Sequence, residues 1–215
     1  MKRFLIIGAL LCSSAAYCAE TVELPEVLDK NEVFVKEATP ENLVEACRTM
    51  VPEHVQIEGR IILRNRRGIV QAEYNYILRR DLGETELKIF DENGKAVQFE
   101  KRGRILSTDV TWSDLTLDYL WWGDFGYDSE RESESVHGQV CSIILMRKDD
   151  RVVRVWVDKK TGAMMQAEEL SKGKPVRRLW GTRIKKFGDR WAPNVLEVET
   201  IGFGHRTKIT VETLI

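Results

Sequence analysis

The sequence predicts a mainly β (α+β) domain: a curved, incompletely closed antiparallel β-barrel or half-barrel of about 10 or 11 strands, with two helices off it. Three observations lead to this fold class. Apolar and polar residues alternate over most of the chain from residue 55 onward, short turns rich in Asp, Asn and Gly separate the alternating segments, and only two stretches have helical spacing. Many short strands with short connections are typical of such a meander.

The strands are predicted from the period of two. Residues 55–63 and 70–78 each place apolar side chains on one face and polar side chains on the other. The pair Asn93-Gly94 predicts a tight hairpin between residues 86–90 and 96–100. Further alternating segments cover residues 136–147, 151–158, 163–170, 176–186, 190–201 and 205–214.

The first helix is predicted over residues 39–50. Thr39 can cap its N-terminus, and Pro40 then takes the first helical position. One stripe of this helix is apolar and must pack on other parts of the domain; it consists of Leu43, Ala46, Cys47 and Met50.

The second helix is predicted within residues 111–122, with Ser113 as its cap, and an acidic loop follows over residues 124–134. Two apolar strips leave little polar surface: Trp112, Leu115, Tyr119 and Trp122 form one, and Leu117, Leu120 and Trp121 form the other. A helix that is apolar on two sides requires contacts on both. It is either a plug that fills the sheet or a lid that shares its cavity with an apolar ligand, and Gly123 and Gly126 would let it move.

The N-terminus predicts export. Lys2 and Arg3 precede an apolar run and small residues, which is the layout of a secretory signal. We therefore divide the chain into a signal peptide (residues 1–19), a flexible lead-in (residues 20–36) and a single domain (residues 37–215), and we expect a periplasmic location. Lipid anchoring at Cys18 is the alternative, and the bulky Tyr17 argues against it.

Charge argues against a nucleic-acid partner. The formal net charge is −1, and the local basic clusters at residues 64–67 and 79–80 are more typical of turns and strand ends than of phosphate sites. Loss of the signal would lower the net charge to about −3.

The sequence motifs predict no metal site, no cofactor and no enzyme activity. His54, His137 and His205 lack the spacing of metal ligands, and neither a nucleophile elbow nor a phosphate loop occurs. A hydrolase would need His137 or His205 beside a buried carboxylate.

The two cysteines of the mature chain, Cys47 and Cys141, either form a disulfide or are two buried thiols.

Several segments, taken in order, resemble one family. They are TWSDL (residues 111–115), VHGQVC (136–141), VWVDKKTG (155–162), RIKKFGDRWAP (183–193) and RTKITV (206–211). Together they resemble the LolA-like outer-membrane lipoprotein-sorting proteins. The resemblance implies a half-barrel whose concave face is covered by helices, and a carrier that moves lipoprotein acyl chains between an inner-membrane donor and an outer-membrane acceptor. The family has an arginine that anchors the lid, but it is not carried over to this chain, because no motif fixes which of Arg60, Arg64 or Arg79 would match it.

These observations define a predicted ligand site, an apolar cavity with its lid. The helix contributes Trp112, Leu115, Tyr119, Leu120 and Trp121, and the strands contribute Tyr74, Tyr76, Leu78, Val155 and Val157. We expect a monomeric periplasmic carrier for the acyl chains of lipoproteins or for another lipid. The alternative is a non-catalytic structural or adaptor module of the cell envelope.

Overall fold

The computed structural model describes residue 35 and residues 37–101, 103–188 and 190–215. The predicted signal peptide, with Cys18, lies outside the described residues. So does the lead-in, except for Val35, whose side chain packs against the apolar core and whose backbone N–H donates to the carbonyl of Lys160 at 3.3 Å.

The described chain contains two α-helices, one short 3₁₀ helix and twelve strands. The helices are α1 (Pro40–Met50), α2 (Trp112–Thr116) and the 3₁₀ helix Asp118–Trp121. The strands are β1 (His54–Arg64), β2 (Val70–Asp81), β3 (Glu84–Phe90), β4 (Ala96–Val97), β5 (Asp124–Tyr127), β6 (Ser133–Val136), β7 (Gln139–Lys148), β8 (Arg151–Asp158), β9 (Met164–Ser171), β10 (Lys174–Phe187), β11 (Arg190–Thr200) and β12 (Arg206–Leu214).

All described strands form one antiparallel sheet in the order β4-β3-β2-β1-β12-β11-β10-β9-β8-β7-β5, and β6 also pairs with β7. β4 and β5 stand at opposite ends of this order, so the sheet is open. The predicted fold class, an incompletely closed antiparallel half-barrel, is confirmed, although the strand count is higher than expected. Of the predicted strand over residues 96–100, only Ala96–Val97 pairs.

The predicted acidic loop over residues 124–134 is the main error in the secondary structure. It contains β5 and the start of β6, which pair with two successive halves of β7. Between them Asp128 is buried, because its carboxylate accepts a 2.6 Å hydrogen bond from Arg154 Nε. The acidic residues of this stretch suggested a solvated loop, so the strands were not predicted. A strand that pairs along one edge of a sheet need not have an apolar face.

One large apolar cluster covers the inner face of the sheet, which is the face that carries Val155 and Val157. Helix α1 packs Leu43 and Val44 into this cluster, and Thr39 caps the helix as predicted by accepting from the Asn42 N–H at 3.3 Å. A helix of this length is not stable alone in water, and the burial of its apolar side chains against the sheet stabilises it.

The two cysteines do not form a disulfide. Both are free and buried, but Cys47 belongs to the inner cluster, whereas Cys141 packs with Ile143 and Trp156 in a second cluster. The Cys47 thiol donates to the carbonyl of Gly162 at 3.0 Å. Of the two alternatives for these cysteines, the two buried thiols are therefore correct.

Candidate ligand-binding site

Residues 111–122 form the lid segment, which lies on the inner face as two short helical pieces rather than one helix. The break is at Leu117, whose φ of 53° lies in the left-handed region. The cap is Thr111 and not Ser113: the Asp114 carboxylate accepts from the Thr111 backbone N–H at 2.6 Å and from its hydroxyl at 2.9 Å.

Arginines from three surrounding elements hold the lid segment. Arg48 of α1 donates from Nε to the carbonyl of Leu120 at 2.7 Å, and Arg80 of β2 donates to the carbonyl of Thr116. Arg151 of β8 donates to the hydroxyl of Ser113 at 2.9 Å. Burial lowers the pKa of Arg80. The bonds from Arg48 and Arg80 satisfy carbonyls that the short helices leave unpaired at their ends.

Arg60, Arg64 and Arg79, among which no motif selected a lid anchor, hydrogen-bond to groups outside the lid segment. Arg60 pairs with carboxylates of the neighbouring strands, Arg64 donates to the carbonyl of Gly68 at 2.8 Å, and Arg79 donates to the side chain of Gln56 at 2.7 Å. Arg48 and Arg80 were missed. Their contacts depend on how the lid folds back on the sheet, so no local motif marks them.

A buried ionic cluster fastens the start of the lid segment to β10. The Arg177 guanidinium donates to the carbonyl of Asp109 at 3.1 and 2.8 Å, to Glu169 at 2.7 Å and to Asp114. Its side chain is only 10% exposed. Burial acts to lower the pKa of Arg177, but the nearby carboxylates of Asp114 and Glu169 outweigh it, and the pKa is raised.

The predicted strand residues all face the inner cluster. Tyr76, Leu78, Val155 and Val157 are buried in it, and Tyr74 is half-buried against it. Whether they bind a ligand stays a prediction.

From the lid, Tyr119 and Leu120 are buried in the same cluster, while Trp112 and Leu115 pack against its margin. The Tyr119 hydroxyl lies 3.4 Å from the sulfur of Met164, and burial raises its pKa well above the ordinary value. The lid therefore fills the centre of the half-barrel with its own side chains.

Trp121 does not line the interior, contrary to the sequence prediction. Its side chain is 47% exposed and lies beneath the guanidinium of Arg80, 4.7 Å from the ring centroid. The left-handed conformation at Leu117 rotates the second helical piece and turns Trp121 outward. Helical spacing counted through the break could not predict this face.

Side chains of the described sheet and lid pack together in the interior. One cavity, of about 20 Å³, lies between the lid and β8–β10 beside Arg177 and Glu169. This is room for a water molecule and not for a hydrocarbon chain.

A larger groove of about 420 Å³ opens at the edge of the sheet, between β3, β4 and the lid. Its volume falls within the range of about 300–1,000 Å³ that is common for small-molecule sites. The apolar side chains along it are Leu87, Ile89, Val97, Phe99 and Trp112. Phe99 and Trp112 stack with ring centroids 6.4 Å apart, and Lys101 Nζ lies 4.7 Å from the Trp112 ring.

Of these groove residues, only Trp112 was predicted from the sequence to line the site. The alternation of Leu87 and Ile89 with charged neighbours was a usable signal for the inner face of β3. Val97 and Phe99 also alternate with polar residues, but this signal was weaker, because strand pairing ends at Val97 and does not extend to Phe99.

His205 lies beside a buried carboxylate, the arrangement that a hydrolase would need. Its Nδ1 is 2.9 Å from Asp109 Oδ2. The hydroxyls of Thr200 and Thr207 also donate to this carboxylate, at 2.6 and 3.0 Å, and no described serine or cysteine side chain hydrogen-bonds to His205. The cluster fastens the loop before the lid to β11 and β12.

The architecture defines a class of protein: an open antiparallel half-barrel whose inner face is covered by helices. Solved structures that share it include three bacterial proteins. A LolA superfamily protein from Nitrosomonas europaea is 15% identical with a TM-score of 0.59, and the match covers 83% of this chain and 93% of that chain. A domain described as an outer membrane lipoprotein-sorting protein, from Vibrio parahaemolyticus, is 13% identical with a TM-score of 0.58, and the match covers 80% of this chain and 91% of that chain. A DUF1329 family protein from Desulfovibrio piger is 15% identical with a TM-score of 0.57, and the match covers 83% of this chain and 93% of that chain. The LolA-like fold that the resemblance implied is thus confirmed.

Residues 91–214 match the model of a family whose description reads "uncharacterized protein". Because this match spans more than half of the chain, the protein belongs to that family. No curated protein sequence matches it. None of the described helices has the length and apolar character needed to cross a bilayer.

Proposed function

We propose that the protein is a periplasmic carrier that binds acyl chains of lipoproteins, or of another lipid, between the lid segment and the inner face of its half-barrel. The observation that carries this proposal is the apolar groove of about 420 Å³ beside Trp112. It lies where the inner face of β3 meets the lid, so a chain that enters it has a direct route to the inner apolar cluster.

Burial supplies the affinity in this mechanism. Each methylene group removed from water contributes about 0.8 kcal/mol, so ten methylenes contribute roughly 8 kcal/mol before the costs of ordering and opening. Polar side chains, among them Glu86, Lys88 and Lys101, border the groove beside its apolar side chains. In this proposal the apolar side chains hold the hydrocarbon, and the role is binding.

Loading a full acyl chain requires the lid to move, because Tyr119 and Leu120 occupy the interior. The lid is suited to this: its two helical pieces meet at the left-handed Leu117, and Arg48 and Arg80 hold it through single carbonyls. A ligand that binds the open state more tightly shifts the population toward it. Release would then require an acceptor with higher affinity for the cargo.

A matched pair of substitutions tests the groove. Val97→Glu places a carboxylate in the groove, and we expect it to weaken binding of a fluorescent fatty acid by at least about tenfold. Val140→Glu makes the same change at an exposed position of β7 outside the groove and should leave binding unchanged. Equal affinities for the two variants would refute the assignment of the groove.

Cargo is tested by mass spectrometry under native conditions on protein recovered from cell envelopes. We expect bound lipid, or uptake of a synthetic triacylated lipopeptide. Protein that is always empty and ignores the lipopeptide would contradict carriage.

One observation favours the alternative, a structural or adaptor module of the envelope: the described interior is packed, with only about 20 Å³ free beside Arg177. Fluorescence separates the two functions. In a carrier the emission of Trp112 shifts on addition of lipid, because its stack with Phe99 lines the groove. In a module filled by its own lid, the emission stays constant.

A further inference from the structure

Three segments that are distant in sequence meet at one end of the sheet, and we call this surface the basic end. They are the β1–β2 turn (residues 65–69), the β11–β12 turn (residues 201–205) and residues 103–107, which follow β4. The pairing of Arg64 with Arg206 places the two turns side by side.

Direct contacts hold the three segments together. A Cβ atom added at Gly204 would overlap the guanidinium of Arg66, so the two turns are in contact. The guanidinium of Arg104 lies 5.0 Å from the centroid of the Phe203 ring. Each of the other two segments thus places an arginine against the β11–β12 turn: Arg104 lies against the Phe203 ring, and Arg66 lies beside Gly204.

The basic end exposes large apolar side chains at its turns. Phe203 is 61% exposed, Ile69 is 56% exposed and Ile201 is also exposed. Gly202 and Gly204 adopt positive φ values on either side of Phe203, which produces a tight turn with the ring at its tip.

The positive charge of this surface is not balanced locally. None of the three segments contains Asp or Glu. In the part of the chain that the structure describes, Arg66, Arg67 and Arg104 form no salt bridge.

Acidic groups close to these segments already have partners. Glu199, which closely precedes the β11–β12 turn, pairs with Arg178 and Arg206. Asp109 is buried against His205 and two threonine hydroxyls. The carboxylate of Asp91, in the β3–β4 turn, accepts hydrogen bonds from backbone N–H groups of its own turn. A chain with a net charge of only −1 therefore concentrates unpaired arginines on one surface.

We propose that the basic end docks the protein on the surface of an anionic lipid bilayer. Phe203 and Ile69 enter the headgroup region, while Arg66, Arg67 and Arg104 contact lipid phosphates. Apolar side chains at the tips of separate turns, surrounded by cations, fit an interface that is apolar below and negatively charged above. A protein partner would instead be expected to meet a contiguous, well-packed apolar centre.

Docking would place the ligand groove beside the bilayer, because Lys101 of the groove closely precedes Arg104 in the chain. The proposal does not depend on the carrier function. Binding of the fluorescent fatty acid and binding to vesicles are measured separately, and the variants below should change only the second.

Vesicle co-sedimentation tests the proposal with protein recovered from cells that express the complete chain. We expect binding to phosphatidylcholine vesicles that contain about 30 mol% phosphatidylglycerol, weak binding to phosphatidylcholine alone, and loss of binding at high salt. Replacing Arg66, Arg67 and Arg104 by Ala should lower the partition coefficient on the order of 100-fold, since each cation near the surface contributes about fivefold.

In the matched control, Ala replaces Arg183, Lys185 and Lys186. These three exposed cations lie toward the end of β10 that is away from the basic end. This control should retain most of the vesicle binding. For the apolar contribution, Phe203→Ser should lower binding on the order of tenfold, whereas Ile184→Ser, at another exposed apolar position, should not.

Two results would overturn the proposal. One is equal loss of vesicle binding in the basic-end variant and its control, which would mean non-specific attraction. The other is failure to bind anionic vesicles at low salt together with binding of polyglutamate, which would assign the basic end to an acidic protein partner.

Discussion

Replacing Arg177 by Met removes the cation that joins β10 to the start of the lid segment. The Asp109 carbonyl loses both guanidinium donors, and the buried Asp114 carboxylate loses its counter-charge. Asp114 keeps its two bonds from Thr111, and Glu169 keeps Arg151 at 4.0 Å. Loss of one partner of a buried pair typically costs about 3–5 kcal/mol.

The retained bonds place the expected loss in the free energy of unfolding toward the lower end, about 3–4 kcal/mol. For a domain of this size that corresponds to a fall in Tm of about 10 °C. Urea unfolding followed by circular dichroism measures the loss. Arg206→Met is the control, because Arg206 pairs with Glu197 and Glu199 but its side chain is 52% exposed; this substitution should cost at most about 1 kcal/mol.

The double variant Arg177→Met/Asp114→Asn separates charge from packing. It should recover about 1–2 kcal/mol, because the lone buried charge is removed while the amide can still accept from Thr111. If Arg177→Met costs no more than Arg206→Met, or if the double variant loses the sum of the single losses, the buried cluster does not hold the lid as described.

Four further outcomes are expected. Leu82→Asn should raise stability by about 1 kcal/mol in urea unfolding, because Leu82 is 74% exposed with a φ of 44°, which Asn tolerates better. Gly59→Ala should lower it by about 3 kcal/mol, since the added Cβ would overlap the Thr210 carbonyl oxygen; an unchanged urea midpoint would contradict this. Arg80→Ala should speed uptake of the fatty acid in stopped-flow fluorescence and cost about 1–2 kcal/mol, because the Thr116 carbonyl loses its donor. Burial raises the pKa of Cys47 from 9.0 to about 12, so the Cys47 thiol should resist alkylation at pH 8 until urea unfolds the protein. The contribution of this thiol to stability is present below pH 9 and is lost as the pH rises toward 12.

The features that the sequence predicted correctly depend on residues that are close together in the chain. The alternation along β1, β2, β8 and β12 identified strands and their inner faces, so Tyr76, Leu78, Val155 and Val157 were placed on the correct side. Thr39 and Pro40 marked the start of α1, because a cap is a contact between near neighbours in sequence.

The errors involve contacts between distant segments. Leu117 adopts a left-handed conformation because the arginines and the inner cluster fix the helical pieces on either side, and nothing in the residues around it required the break that exposes Trp121. The stretch after Gly123 reads as a solvated acidic loop, yet the free edge of β7 organises it into strands around the buried Asp128.

By itself, the sequence determined that this chain forms an open antiparallel sheet with one early amphipathic helix and an aromatic segment that needs contacts on two sides. Periodicity and capping act over a few residues, so they can be read without knowledge of the fold. Only the tertiary structure decided which arginines hold the lid, that Cys47 and Cys141 stay apart, and that free apolar volume lies at the β3–β4 edge rather than in the centre. Those features depend on the packing of elements that are far apart in the chain, and the spacing of residues does not record that packing.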